Sequence, residues 1–305
     1  MVKLTVTFLG TSSAAPSKSR GLPAIAVQRE GDLIIMDCGE GVQRQVLAQG
    51  LGLNRETTVL ITHLHGDHVT GLLGLLQTMS LAHRTKELTV VAPPALLEWL
   101  RVTSELLHIG LTFRIRFVAA RRGTVLRTKH FDVRATRAEH SVEAYCFLIR
   151  EHDRPGVFFP EKATRLGVPE GKLWSRLQKG RRVKVGRRTV SPSQVMGSLR
   201  HGRTIGYSGD TRPSKRLARF FAGVDLLIFD STFSSQDSDK ALERKHSTCV
   251  EAAELAKSAR AKQLVLTHFS ARYRSVTSLA KDARAVFPPT VAAFDGLRID
   301  VDYPS

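Results

Sequence analysis

Polar Lys3, Thr5 and Thr7 alternate with apolar Leu4, Val6 and Phe8, a period of two that predicts a strand at the start of the chain. Loop residues follow from 10 to 21, and the apolar, partly β-branched stretches 24–27 and 33–36 predict two further strands of a small antiparallel start. Past Asp37-Cys38-Gly39-Glu40-Gly41 the spacing predicts a helix over 42–48 and a buried strand over 58–62. A polar stretch at 63–68 then leads into a helix over about 69–82. A strand over 88–92, a helix over 95–107 opened by Pro93-Pro94, and short basic strands between 113 and 133 continue the interleaving. From about 152 to 202 apolar periodicity weakens while glycine, proline and basic residues crowd together, so this stretch reads as an inserted, partly extended arm. Short buried strands return at 204–207, 225–229 and 263–267, with a helix over 248–259 whose start is fixed by the capping-box spacing of Thr248 and Glu251. Strands alternating with helices place the chain in the α/β class.

Composition narrows this further. With 42% apolar residues over 305 positions the chain can bury a sizeable core, which excludes a disordered basic tail. No apolar run approaches the roughly 18 residues of a membrane span, and the strand-like start carries no basic-then-apolar leader, so a soluble, unexported protein is expected. Cys38, Cys146 and Cys249 are far apart and in no paired spacing, which argues against disulfides or a thiolate zinc site and for a reducing, cytoplasmic location. The formal charge of +18 is regional: residues 111–200 hold 21 Lys and Arg against 7 Asp and Glu. That concentration favours a polyanion-facing surface over a general solubility device.

The strongest chemical signal is Thr62-His63-Leu64-His65-Gly66-Asp67-His68. Alternate residues His63 and His65 would point together, while Asp67 and His68 sit on the next turn and face a second point. Imidazoles and a carboxylate are ligands for zinc or a similar divalent ion, and two such groups suit a two-metal site. More donors are needed, and His140, Asp210 in Ser208-Gly209-Asp210-Thr211, and His268 are available. Singly these read more readily as a surface histidine, a turn residue and a core histidine than as ligands; together they supply the missing ligands. Val59-Leu60-Ile61-Thr62-His63 is also echoed by Leu264-Val265-Leu266-Thr267-His268, each an apolar strand delivering a histidine, a similarity that gains weight only if both histidines meet.

The order Phe8-Leu9-Gly10-Thr11, Asp37 to Gly41, the histidine motif, a lone histidine, Gly209-Asp210-Thr211 and His268-Phe269-Ser270-Ala271-Arg272-Tyr273 resembles the ribonuclease Z family of the metallo-β-lactamase superfamily, over nearly the whole chain. The resemblance implies an αββα sandwich, two mixed β-sheets flanked by helices, formed as a single domain over 1–305 with a flexible basic exosite arm inserted at about 154–200. It implies a zinc-dependent endoribonuclease that removes the 3′ trailer from precursor tRNA by two-metal hydrolysis. One Zn2+ would be held by His63, His65 and His140 and the other by Asp67, His68 and His268, with Asp210 between them; Asp67 would also act on the attacking water. His246 resembles the family's proton donor. Its usual glutamate partner is replaced by Asp230, one methylene shorter, in Phe229-Asp230-Ser231-Thr232, a reach that could leave the donor less protonated.

By the same resemblance Lys18 and Arg20, in a loop where Gly21 replaces the family's usual asparagine, and Arg272 would lie against RNA near the cut. The arm would grip precursor tRNA through Lys162, Arg165, Lys172, Arg176, Lys179, Arg181, Arg182, Lys184, Arg187 and Arg188, with Trp174 and Phe158 or Phe159 packing it or stacking on bases. A homodimer is implied. The alternative is a phosphodiesterase of the same fold acting on small or cyclic nucleotide esters, a substrate with no use for cations far from the metal. A third possibility is an RNA-binding protein with a decayed site, against which the intact ligand set argues.

Overall fold

The structure, a computed structural model, describes residues 2–303, which divide into two compact units, residues 2–150 with 204–302, and residues 151–203 with 303. In the first unit one sheet runs in the order Arg298–Asp300, Leu4–Gly10, Ala24–Arg29, Asp32–Met36, Glu56–Leu60, Leu88–Ala92, Ile115–Ala119. The second runs Thr290–Ala292, Gln263–Thr267, Leu226–Asp230, Thr204–Tyr207, Tyr145–Glu151, Phe131–Arg137, Gly123–Arg127.

Period-two side-chain alternation explains how continuous apolar strands serve two cores at once. Ile34 and Met36 point into the layer between the sheets, whereas Leu33 and Ile35 face helices Val42–Ala48, Gly71–Leu81 and Ala95–Leu106. In the second sheet Ile228 and Val265 meet the first sheet, while Leu227, Phe229, Leu264 and Leu266 face Cys249–Ala259 and its neighbours. The result is the αββα layering expected. Among the described residues no helix is long and apolar enough to cross a membrane.

Two departures from the sequence reading have local causes. The helix expected over 69–82 starts at Gly66 and is interrupted at Thr70, giving Gly66–Val69 and Gly71–Leu81. Cys38 N donates to His68 O and Gly71 N donates to Cys38 O, and a Cβ at Gly71 would lie 1.9 Å from Gly39 O. The break is thus where the 37–41 turn docks against bare backbone. The second unit, read as partly extended, contains helices Pro160–Arg165 and Lys172–Gln178 and a hairpin of Val183–Val185 with Arg188–Val190. Its small core of Ala163, Val168, Leu177, Val183, Val190 and Val195 is too widely spaced to show as periodicity. Trp174 Nε1 donates to Val168 O and its ring packs on Phe158, so these aromatics fasten the unit internally.

Candidate metal centre

The parallel strands end at one edge of the sandwich, where loops past strand ends gather polar groups. From the first sheet, the segment after Glu56–Leu60 brings His63, His65, Asp67 and His68; from the second, Asp210 follows Thr204–Tyr207 and His268 follows Gln263–Thr267. The two echoed strands therefore lie in different sheets and both deliver their histidine to Asp210, at 3.6 Å from His63 Nε2 and 3.3 Å from His268 Nε2. Gly209 is held at φ 55 and a Cβ there would meet Thr62 Cβ at 2.8 Å, so the turn that presents Asp210 needs glycine on both conformational and steric grounds.

Donor atoms of His63, His65, His140 and Asp210 form one group, and those of Asp67, His68 and His268 a second, each within 4.8 Å. Asp210 Oδ2 lies 3.6 Å from His63 Nε2 and 3.3 Å from His68 Nε2, joining the groups. Four of the five rings are oriented through their other nitrogen: His63 Nδ1 by Thr62 Oγ1 at 2.9 Å, His68 Nδ1 by Asp37 Oδ2 at 2.8 Å, His140 Nδ1 by Lys245 O at 3.1 Å and His268 Nδ1 by Thr232 Oγ1 at 2.8 Å. This is the outer support that metal-bound imidazoles require.

The donor set fits cations. His63 Nε2 and His140 Nε2 face His65 Nδ1 at 3.0 and 3.1 Å, and His68 Nε2 faces His268 Nε2 at 3.2 Å, so lone pairs converge on common points. Among the described residues Asp210 Oδ1 is buried and accepts no hydrogen bond, an orphaned anionic oxygen that a cation would satisfy. Burial opposes ionisation of Asp210, but His268, His68 and His246 outweigh it and hold its carboxyl well below the usual carboxylate range. Burial, then His68, pushes His63 well below the ordinary histidine value, keeping it a neutral donor. The site binds a divalent metal.

Beside it, Asp230 Oδ2 lies 2.9 Å from His246 Nδ1. The shorter aspartate reaches because Thr232 N, Thr232 Oγ1, Thr211 N and Ser247 N all donate to its carboxylate, drawing the turns around it. Burial disfavours the imidazolium of His246, yet Asp230 and then Asp210 overcome this and raise its pKa, the reverse of the weaker protonation expected from the missing methylene. Lys18 is exposed. Arg20 lies over Phe269, 5.3 Å from the ring centroid, and Arg272 lies over Phe233 with Nη1 3.7 Å from Asp237, so both guanidiniums are partly occupied within the protein. All ten arm cations are exposed.

Asp37 was visible only as part of a turn motif. At φ 58 it accepts from Thr62 N, Thr62 Oγ1 and Tyr207 Oη, and its Oδ2 also orients His68. A buried acid flanked by glycine two residues on is the one sequence signal for it.

Two packed mixed sheets with this donor set at their shared edge define a metal-dependent hydrolase of the metallo-β-lactamase fold. Residues 175–269 match a family model described as "Beta-lactamase superfamily domain", and residues 4–151 one described as "Anti-Pycsar protein Apyc1". The metallo-β-lactamase fold protein YhfI of Bacillus subtilis, 18% identical, has the same fold with a TM-score of 0.71 over 98% of this chain and 99% of that one. Closer in sequence are Ribonuclease Z of Nitrosopumilus maritimus, 42% identical over 98% of this chain and 100% of the relative, and that of Methanothermobacter thermautotrophicus, 42% identical over 98% and 97%. Human tRNase Z, short form, is 29% identical with a TM-score of 0.71, covering 98% and 99%. The chain belongs to the ribonuclease Z family.

Proposed function

We propose that this protein removes the 3′ trailer from precursor tRNA by hydrolysing one phosphodiester, leaving a 3′-hydroxyl on the tRNA and a 5′-phosphate on the trailer. The observation that carries the reading is the Asp210-joined pair of donor groups, with its orphaned anionic oxygen, in a chain of this family. Two zinc ions per subunit are assigned, held by His63, His65 and His140 and by Asp67, His68 and His268, with Asp210 shared; when bound they activate water and neutralise charge on the phosphoryl oxygens. Asp67, whose Oδ2 accepts from Ala14 N, orients the attacking water and takes its proton. His246, with Nδ1 held by Asp230, carries a transferable proton on Nε2 and delivers it to the departing ribose 3′ oxygen. The exposed arm cations hold the tRNA body by its phosphates, a shape-based grip. A cytoplasmic location is supported by three unpaired, buried cysteines, and a homodimer by the family resemblance.

The test is chelator-sensitive release of trailer from a precursor tRNA, run beside bis-p-nitrophenyl phosphate. Turnover of the small ester with no trailer release overturns the reading. Neutralising Arg181, Arg182, Lys184, Arg187 and Arg188 to alanine is expected to lower kcat/KM for the precursor at least about tenfold and leave the small ester unchanged. Equal loss on both substrates removes the arm from substrate binding.

Asp230→Asn probes the proton donor. The Asp230 carboxylate raises the pKa of His246, so without that charge the imidazolium is lost at lower pH and the alkaline limb of the kcat profile moves down in pH. An alkaline limb that stays in place removes His246 from the role.

A further inference from the structure

Apart from the arm, the first unit carries a second concentration of positive charge. Strands Gly123–Arg127 and Phe131–Arg137 and helix Lys215–Phe220 enclose a cleft of about 460 Å³. Arg122, Arg134, Arg216 and Arg219 line it, together with buried Thr136 and the half-buried ring of Phe220. Among the described residues none of these four arginines forms an ion pair with a carboxylate, whereas Arg101, Arg137 and Arg212 each pair with a glutamate. Four guanidiniums around one acid-free cleft repel one another, and an anion is the ligand that relieves this. Arg134 lies over the Phe220 ring, 5.9 Å from its centroid, so the cleft offers an aromatic edge beside its charges.

We propose that this cleft is a track for the unpaired 3′ trailer of the precursor, its arginines on successive phosphates and Phe220 against a base. The proposal rests on the trailer-removal reading above. Cations interleaved with an aromatic suit a single strand, whose bases are free to stack, better than a duplex. In an RNA cut at the end of its folded body, the unpaired portion is the trailer. The cleft is also close to the chemistry along the chain: Thr136 precedes His140 by four residues and Asp210 precedes Arg216 by six, at most about 14 and 22 Å of extended backbone. Gly123 pairs with Ala135, so Arg122 sits at the end of the edge strand nearest the segment that leads to His140.

The experiment compares wild type with an Arg216→Ala, Arg219→Ala double variant, two exposed positions, on precursors with trailers of one and of twelve nucleotides. The expected result is a loss in kcat/KM of at least about fivefold on the long trailer, carried by KM, with the short trailer and the small ester unchanged. The salt dependence on the long trailer should flatten by about 0.7 in log–log slope for each phosphate that the variant no longer neutralises. If the wild type cleaves neither precursor, the functional reading itself fails and the track with it. If the wild type cleaves both and the variant keeps full activity on the long trailer, the cleft assignment alone fails. Equal losses at both lengths would mean that the cleft holds the tRNA body, and displacement of a labelled trailer oligonucleotide by equally dilute inorganic phosphate would mean a small-anion pocket; either overturns the proposal.

Discussion

Asp210→Ala is expected to lower kcat/KM for precursor cleavage at least about a thousandfold and to reduce bound divalent metal. Asp210 lies within 4 Å of His63, His68, His140 and His268 together. Losing a carboxylate shared by both groups forfeits charge stabilisation of several kcal/mol, and each 1.36 kcal/mol is a factor of ten in rate. The checks are metal content by atomic emission and single-turnover cleavage, with circular dichroism to verify that the variant is folded. A folded variant that retains metal and cuts at a tenth of the wild-type rate would show that Asp210 is peripheral.

The second large effect is expected at a residue that touches no substrate. Asp37→Ala strands a backbone N–H, a hydroxyl, a phenol and the Nδ1 of His68 in a site fully closed to solvent. Breaking a buried charged network of this kind costs about 3–5 kcal/mol of stability, and alanine tolerates the left-handed backbone at φ 58 less well than aspartate does. Asp37→Asn keeps the shape while removing the charge, and should lower metal affinity about 10- to 100-fold, the usual worth of an outer partner of a metal-bound histidine. Urea unfolding of the alanine variant and metal titration of the asparagine variant measure the two effects separately. Unchanged affinity in Asp37→Asn would mean that the charge of Asp37 contributes nothing to metal binding through His68.

Much of this is legible in the sequence. Helix Val42–Ala48 and strand Leu88–Ala92 have the bounds that periodicity predicts, and the capping box of Thr248 and Glu251 is formed as its spacing requires. Those features are local, carried by neighbouring residues. The centre was legible as a set of donors because three histidines and an aspartate fall within six positions, yet its closure depends on Asp210 and His268, brought in by strands from the other sheet. What stayed hidden depends on contacts distant in sequence. Asp37 meets Tyr207 across 170 positions, and the helix break at Thr70 is set by the backbone of residues 38 and 39. The reach of Asp230 to His246 could not be judged from side-chain length, because the surrounding backbone donors decide where the turn sits.

The origin of the donors in both sheets has a thermodynamic consequence. An ion held by His63 and Asp210, or by His68 and His268, would be bonded to both leaves of the sandwich and would act as a cross-link between them. Its binding free energy then serves two ends at once: at free metal a hundredfold above the dissociation constant, the folded state gains about 2.7 kcal/mol per ion for as long as the leaves stay joined. Metal occupancy and resistance to unfolding would then be linked through the same binding equilibria, so that lowering free metal would erode the stability of the scaffold before it emptied the site and silenced the cut.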